Sequence, residues 1–179
     1  MHDGFETQAG RMRHGHVAAS GSLAFVVLIV VIIVMKVMTR DAAEFLIVDD
    51  DPAITKFLVT YLKQKGHTCQ SLTEGFETAA WLQQHDCEVL VVDLRMPRVD
   101  GIALITFVRE VNPKLPIIVF TGVGYDEQRM HAALRAGANG YVSKNLPIEQ
   151  LYCVLSRVLA ASRQRARREA LNTVRPAAA

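Results

Sequence analysis

Cysteine is scarce in this chain. Cys69, Cys87 and Cys153 are the only three in 179 residues. They are odd in number, widely spaced and form no CxxC pair, which excludes a disulfide scaffold. We read them as reduced, mostly buried thiols of a cytosolic protein. A dominant charge is missing too, since 20 basic against 18 acidic residues leave a net +2. Nor is the chain poor in apolar residues; at 50% hydrophobic it cannot be disordered throughout. Its length suits one domain with appendages.

The near-neutral balance hides a partition. Residues 1–40 carry four basic and two acidic groups, residues 41–155 ten basic and fifteen acidic, and residues 156–179 six arginines against Glu169. An acidic body of net −5 therefore lies between two basic ends. We divide the chain into an N-terminal extension (1–40), a domain (41–160) and a basic C-terminal tail (161–179). Within the extension, residues 17–35 contain no charge, and Leu23–Met35 is an unbroken apolar run. As a helix, residues 17–35 would rise about 28 Å, close to the hydrocarbon thickness of a bilayer. Two readings stand: an inner-membrane anchor for a cytoplasmic domain, or a stretch upstream of a true start at Met35 or Met38.

From Phe45 onward, short apolar runs alternate with helical periods. Phe45–Val48, Val89–Val92 and Pro116–Phe120 are continuous apolar runs, as expected of strands buried on both faces. His67–Leu72 reads as an edge strand and Tyr141–Ser143 as a short last strand. Asp51 as N-cap and Pro52 at the first position predict a helix with Ile54, Phe57, Leu58, Tyr61 and Leu62 on one face, stopped by Gly66. Further helices are expected over Thr73–His85 (around Phe76, Ala79 and Leu82) and over Gly101–Val111 (Leu104, Ile105, Val108 and Val111 inward). A weakly docked one follows over Tyr125–Ala136, and a last begins at Pro147, burying Ile148, Leu151, Leu155, Val158 and Leu159. Five β/α units in sequence demand a parallel sheet with right-handed crossovers and helices on both faces.

In such a sheet, ligands bind at the carboxyl ends of the strands. The first strand there ends in Asp49-Asp50-Asp51, the third at Asp93, the fourth at Thr121-Gly122, and the fifth runs into Lys144. Singly each has an ordinary explanation, a cap or a turn. Jointly, carboxylates gathered at one edge repel by several kcal/mol unless a cation intervenes. Oxygen-only ligands with open positions suit Mg²⁺. A carboxylate beside it can attack phosphorus to give an aspartyl phosphate, with Lys144 as a second cation.

FLIVDDDP at 45–52, VLVVDLRMPRVDG at 89–101, IIVFTG at 117–122 and AGANGYVSKN at 136–145 together resemble the receiver domain of response regulators in two-component signalling, of the single-domain, chemotaxis-regulator type. The resemblance covers about Glu44 to Leu159. It implies an α/β, doubly wound, flavodoxin-like sheet of five parallel strands in the order 2-1-3-4-5. Asp93 then matches the phospho-acceptor. Asp49 and Asp50, with Asp93 and the backbone carbonyl of Arg95, match the Mg²⁺ ligands. Lys144 matches the lysine on the phosphoryl group, Thr121 the switch hydroxyl, Tyr141 the switch aromatic, and Gly122 the small residue beside them. Pro97 and Gly101 match the loop shape after the acceptor. The implied partners are a histidine kinase or phosphotransfer protein upstream. Downstream, a protein or a second copy would read the face of the fourth helix, fifth strand and fifth helix.

One departure stands out: Asn145 follows Lys144 where receivers carry a proline in a cis bond that aims the lysine. A non-proline cis bond costs about 2.5–4 kcal/mol, so lysine placement is the open point of the site. That departure supports a second reading, a binding module that does not use phosphorylation; the complete Asp49, Asp50, Asp93, Thr121 and Lys144 set argues against it. A phosphohydrolase of the haloacid-dehalogenase type, whose D-x-D-x-T/V motif is broken here by Ala53, ranks last. The arginines Arg163, Arg165, Arg167 and Arg168 read as a solvated extension of the last helix in preference to a docking surface for an acidic partner. No helix-turn-helix pattern follows, which argues against sequence-specific DNA reading.

Overall fold

The computed structural model describes residues 42–122 and 126–174, together with the single position Val27. All but Val27 belong to the second of two compact units, Arg40–Ala179. The apolar stretch 17–35 otherwise lies outside the described residues, and so does Tyr125. Among the described residues, no helix is long and apolar enough to cross a membrane.

Five strands form one parallel sheet: β1 (Ala42–Val48), β2 (Cys69–Leu72), β3 (Asp86–Val92), β4 (Ile117–Thr121) and β5 (Gly140–Ser143). Their order is β2-β1-β3-β4-β5, the doubly wound arrangement expected from the resemblance. The chain alternates these with helices α1 (Pro52–Gln64), α2 (Glu77–Gln84), α3 (Gly101–Val111), α4 (Glu127–Ala136) and α5 (Ile148–Val174). Alternation within each strand divides the core in two. Leu46, Val48, Leu90, Val92, Ile117 and Val119 meet Leu104, Ile105 and Val108 of α3, Ala133 of α4 and the flank of α2. Phe45, Ile47, Val89, Val91, Ile118 and Phe120 meet Leu58 and Leu62 of α1 and Leu151, Leu155 and Leu159 of α5. Side chains at every second position thus serve opposite helical layers, which is why the strands read as continuous apolar runs.

Local chemistry sets the element ends. Asp51 caps α1 by accepting from the Ala53 amide at 2.8 Å, and Pro52 occupies the first turn. Asp100 accepts from the Ile102 amide at the head of α3, and Asp126 from the Arg129 amide at the head of α4. Gly66 (φ +88) and Gly137 (φ +113) take the left-handed conformation after α1 and α4, where glycine has no steric penalty. Arg109 ties α3 to the segment after α4. Its guanidinium donates to the Gly137 carbonyl at 2.8 and 2.9 Å, to the Leu115 carbonyl at 2.6 Å and to Asn139 Oδ1 at 2.8 Å.

Several expectations need correction. β1 and β3 begin at Ala42 and Asp86, three residues before their apolar runs, because backbone pairing (Ala42 with Asp86, Ala43 with Cys87) continues where the side chains are no longer uniformly apolar. Helix α2 starts at Glu77, not Thr73. Phe76 stands just before it, 54% exposed and without a capping hydrogen bond, and Val111 and Phe57 are also exposed rather than inward. In α2 the expected Leu82 does pack on the core edge, joined there by Trp81. Cys153 is exposed, unlike Cys69 and Cys87. The fourth helix starts at Glu127 and buries Ala133, while Leu134 stays 40% exposed.

The basic tail is not simply solvated. Helix α5 runs without a break to Val174, and its second half engages the amino-terminal end of the sheet. Arg163 forms salt bridges with Glu44 of β1 and Glu88 of β3, Arg165 donates to the Lys114 carbonyl at 2.7 Å, and Lys114 pairs with Glu169 at 2.9 Å. Glu44 also accepts from the Thr68 amide and meets His67 Nδ1 at 2.8 Å. Arg157, Arg167 and Arg168 have no ion pair within 4.0 Å among the described residues, and Leu171 is 72% exposed.

Candidate acidic phosphate and cation site

Four strands deliver the site residues to one edge. Asp49, 2% exposed, directly follows β1 and precedes half-buried Asp50; Asp93, 6% exposed, directly follows β3. Sheet pairing fixes them side by side, since the Asp93 amide donates to the Val48 carbonyl at 2.9 Å. Carboxylate oxygens of Asp49, Asp50 and Asp93 lie within 4.8 Å of one another. At an effective dielectric near 20, each ionised pair at that distance repels by about 3.5 kcal/mol.

One cation of the protein answers them. Lys144 follows β5, and its amide donates to the Thr121 carbonyl at 2.8 Å. That bond extends the β4–β5 ladder by one residue, so strand pairing places the lysine. Its Nζ lies 2.6 Å from Asp49 Oδ2 and 2.7 Å from Asp93 Oδ2. With Asn145 at the next position, the ammonium still reaches both carboxylates. Burial pushes the Asp49 carboxyl above its usual value, outweighing the Lys144 ammonium and the Asp51 amide that favour its charge. Burial also opposes the charge on Lys144, but its hydrogen bonds to Asp49 and Asp93 win and hold the ammonium above its usual value. Three carboxylates against one ammonium leave a formal −2. The donor set is all oxygen, so it fits a hard divalent cation better than a second amine.

The other expected residues lie around this centre. Thr121 ends β4 and is fully buried. Tyr141, in β5 opposite Val119, is half-buried against the α3–α4 side of the core. Burial first, then the charges of Asp126 and Asp93, push its phenol above the usual value. The Arg95 side chain is exposed while its amide donates to Asp93 Oδ1 at 3.3 Å. Gly122 leaves space beside the lysine: a Cβ there would sit 3.6 Å from Lys144 Cδ. At Gly101 the opposite holds, because a Cβ would fall 2.3 Å from the Asp93 carbonyl oxygen. Only glycine lets α3 begin this close to the end of β3. Sequence reasoning did not single out Arg98, whose φ of +68 is the one positive value outside glycine among the described residues. The signal available was its place after Pro97, where a type II turn asks for glycine or asparagine.

The family of response regulator receiver domains matches residues 45–156. Among curated relatives, the transcriptional regulatory protein ZraR of Salmonella typhimurium is 30% identical over 127 residues, covering 71% of this chain and 29% of the regulator. The DNA-binding transcriptional regulator NtrC of the same organism is 33% identical over 113 residues, 63% of this chain and 24% of its own length. The chain thus spans less than a third of these relatives. Among solved structures, the receiver domain of Francisella response regulator 1452 superposes with TM-score 0.62 at 25% identity, covering 67% of this chain and 98% of that one. A CheY-like receiver domain protein from Methanospirillum hungatei JF-1 superposes with TM-score 0.64 at 23% identity, covering 71% and 99%; this last likeness concerns the fold.

Proposed function

The chain belongs to the response regulator receiver domain family of two-component systems, and from that premise we propose that it is a phosphoryl switch whose acceptor is Asp93. One observation carries the reading: a buried carboxylate at the end of β3 faces Lys144 Nζ at 2.7 Å and shares its edge with two further carboxylates. A carboxylate oxygen of Asp93 attacks the phosphorus of a donor, a phosphohistidine of a kinase or phosphotransfer protein. A phosphorus–oxygen bond to the acceptor forms as the donor's phosphorus–nitrogen bond breaks, and the electron pair leaves with the imidazole. Lys144 takes up the charge of the transferred oxygens. Asp49, Asp50, Asp93 and the Arg95 carbonyl would hold Mg²⁺, which when bound neutralises carboxylate and phosphoryl charge together. Attack by water later cleaves the acyl phosphate, returning the carboxylate and inorganic phosphate.

The output is conformational rather than catalytic. A dianionic group on Asp93 gives the Thr121 hydroxyl a new acceptor, and Tyr141, in the neighbouring strand, follows it inward. Thr121 and Tyr141 stand on the two neighbouring strands β4 and β5, and β5 belongs to the α4–β5–α5 face. That face has apolar residues to offer a partner or a second copy: Leu134 of α4 and Leu146 before α5 are 40% and 44% exposed. Only Ala133 of α4 is fully buried, so displacing that helix disturbs little core.

The test is direct. The full chain is incubated with Mg²⁺ and acetyl phosphate and weighed intact. The reading expects a labile gain of one phosphoryl group that Asp93→Asn abolishes. No gain, with magnesium bound, would leave the phosphorylation-independent module as the better account.

A further inference from the structure

Arg98 occupies a position where its backbone is strained. The ladder pairing Arg95–Met96 with Val99–Asp100 leaves Pro97 and Arg98 as a two-residue turn. Proline at its first central position and φ +68 at its second describe a type II turn, which favours glycine at the second place. An arginine there implies that the side chain compensates for the strain.

Its contacts show how. Arg98 Nη2 donates to Glu74 Oε1 at 2.7 Å, and its guanidinium lies 5.5 Å from the centre of the Phe76 ring. Both partners sit in the loop between β2 and α2. That loop touches the turn a second time, because a Cβ on Gly75 would stand 3.0 Å from Met96 Cε and 3.2 Å from Val99 Cβ. The turn is thus fastened to a different part of the chain on its outer side. On its inner side the Arg95 amide binds Asp93. Between the two loops lies a hollow of about 260 Å³ lined by Asp50, Pro52, Thr73, Glu74, Pro97 and Arg98. Phe76, an exposed aromatic with no place in the core, gains a role as the platform for the guanidinium.

We propose that the Glu74–Arg98–Phe76 clasp is a positioning device for the cation site: it locks the acceptor loop 94–100, and with it the Arg95 peptide, before a metal arrives. This rests on the metal reading above. The clasp is exposed, with Arg98 67% and Glu74 34% accessible at the side chain, so its effect is modest and falls on the loop rather than on global stability.

Mg²⁺ titration by calorimetry and amide hydrogen exchange are to be measured on the full chain and on E74Q, R98G and E74Q/R98G. Glycine adopts the turn without strain, so R98G separates the side chain from the backbone. R98G loses both the exposed ion pair and the cation–π contact, which predicts a loss of roughly three- to tenfold in Mg²⁺ affinity, and E74Q, which loses the ion pair alone, a smaller loss of roughly two- to fivefold. Exchange should be faster across residues 94–100, the double variant no worse than R98G alone, and the melting temperature nearly unchanged. R98G binding Mg²⁺ as tightly as the natural chain, with unaltered exchange, would overturn the clasp. Absence of Mg²⁺ uptake by the natural chain would instead overturn the metal reading on which it rests.

Discussion

Replacing Lys144 by glutamine should make the protein dependent on a divalent cation for its stability. The ammonium bridges Asp49 and Asp93 at 2.6 and 2.7 Å, and the three side chains are 15%, 2% and 7% exposed. Its removal leaves three carboxylates within 4.8 Å of each other and no other ammonium or guanidinium bridging Asp49 and Asp93 among the described residues. Breaking a buried pair by deleting one partner costs 3–5 kcal/mol, and the partial exposure of Lys144 places the expected loss near the lower end, about 3 kcal/mol. For a folded unit of this size that is roughly 10 °C in melting temperature. Lys144 is held above its usual value, so its stabilisation is fully present below the unfolded lysine value and fades only as pH rises through the folded one. Melting the full chain and K144Q at pH 7.5 by circular dichroism, first in a chelator and then in millimolar Mg²⁺, measures the effect. The gap should be large in chelator and shrink by half or more in Mg²⁺, as the dication supplies the missing charge. Equal melting temperatures in chelator, or a gap indifferent to Mg²⁺, would refute the reasoning.

Further consequences follow from the same geometry. Gly101→Ala places a Cβ 2.3 Å from the Asp93 carbonyl oxygen; it should destabilise by about 2 kcal/mol or more in urea titration, whereas Gly122→Ala should be tolerated. Arg163→Ala should cost about 1 kcal/mol at pH 7, because the pair is exposed. Burial works to raise the Glu44 carboxyl, but Arg163, His67 and the Thr68 amide hold it below its usual value. That contribution is therefore present above the unfolded carboxylate value and lost as pH falls through the folded one, so natural and R163A denaturation curves should converge once the pH drops below the usual carboxylate range. Burial pushes the Cys69 and Cys87 thiols up to about 11 and about 12, so at pH 8 iodoacetamide should alkylate exposed Cys153 first. Rapid labelling of Cys87, read by peptide mass spectrometry, would contradict the packing at the base of the sheet.

The sheet was legible because its central strands are covered on both faces and must be apolar at every position; Phe45–Val48 and Val89–Val92 leave no other reading. Helix starts were legible where an aspartate caps them, at Asp51 for α1. They were not at α2, where the apolar ring of Phe76 looked like a core residue but serves a guanidinium outside it. Polar strand ends such as Asp86–Glu88 escaped notice because backbone pairing does not depend on side-chain polarity. The site acids were visible as interruptions at the ends of apolar runs, and the reach of Lys144 to both follows from the ladder that precedes it. The apolar first half of α5 was legible from its stripe, but the docking of its basic second half was not: Arg163 meets Glu44 and Glu88, 119 and 75 residues away, and no local pattern records such a pairing. The turn at Arg98 was hidden for a related reason, since the residue type argues against the conformation it adopts.

The central claim is that Asp93, and no neighbouring carboxylate, receives the phosphoryl group. After exposure of the full chain to acetyl phosphate and Mg²⁺, borohydride reduces an aspartyl phosphate to homoserine, and peptide sequencing by mass spectrometry locates it. The account predicts homoserine at position 93. Homoserine at 49 or 50, or none in a chain shown to bind Mg²⁺, would contradict it.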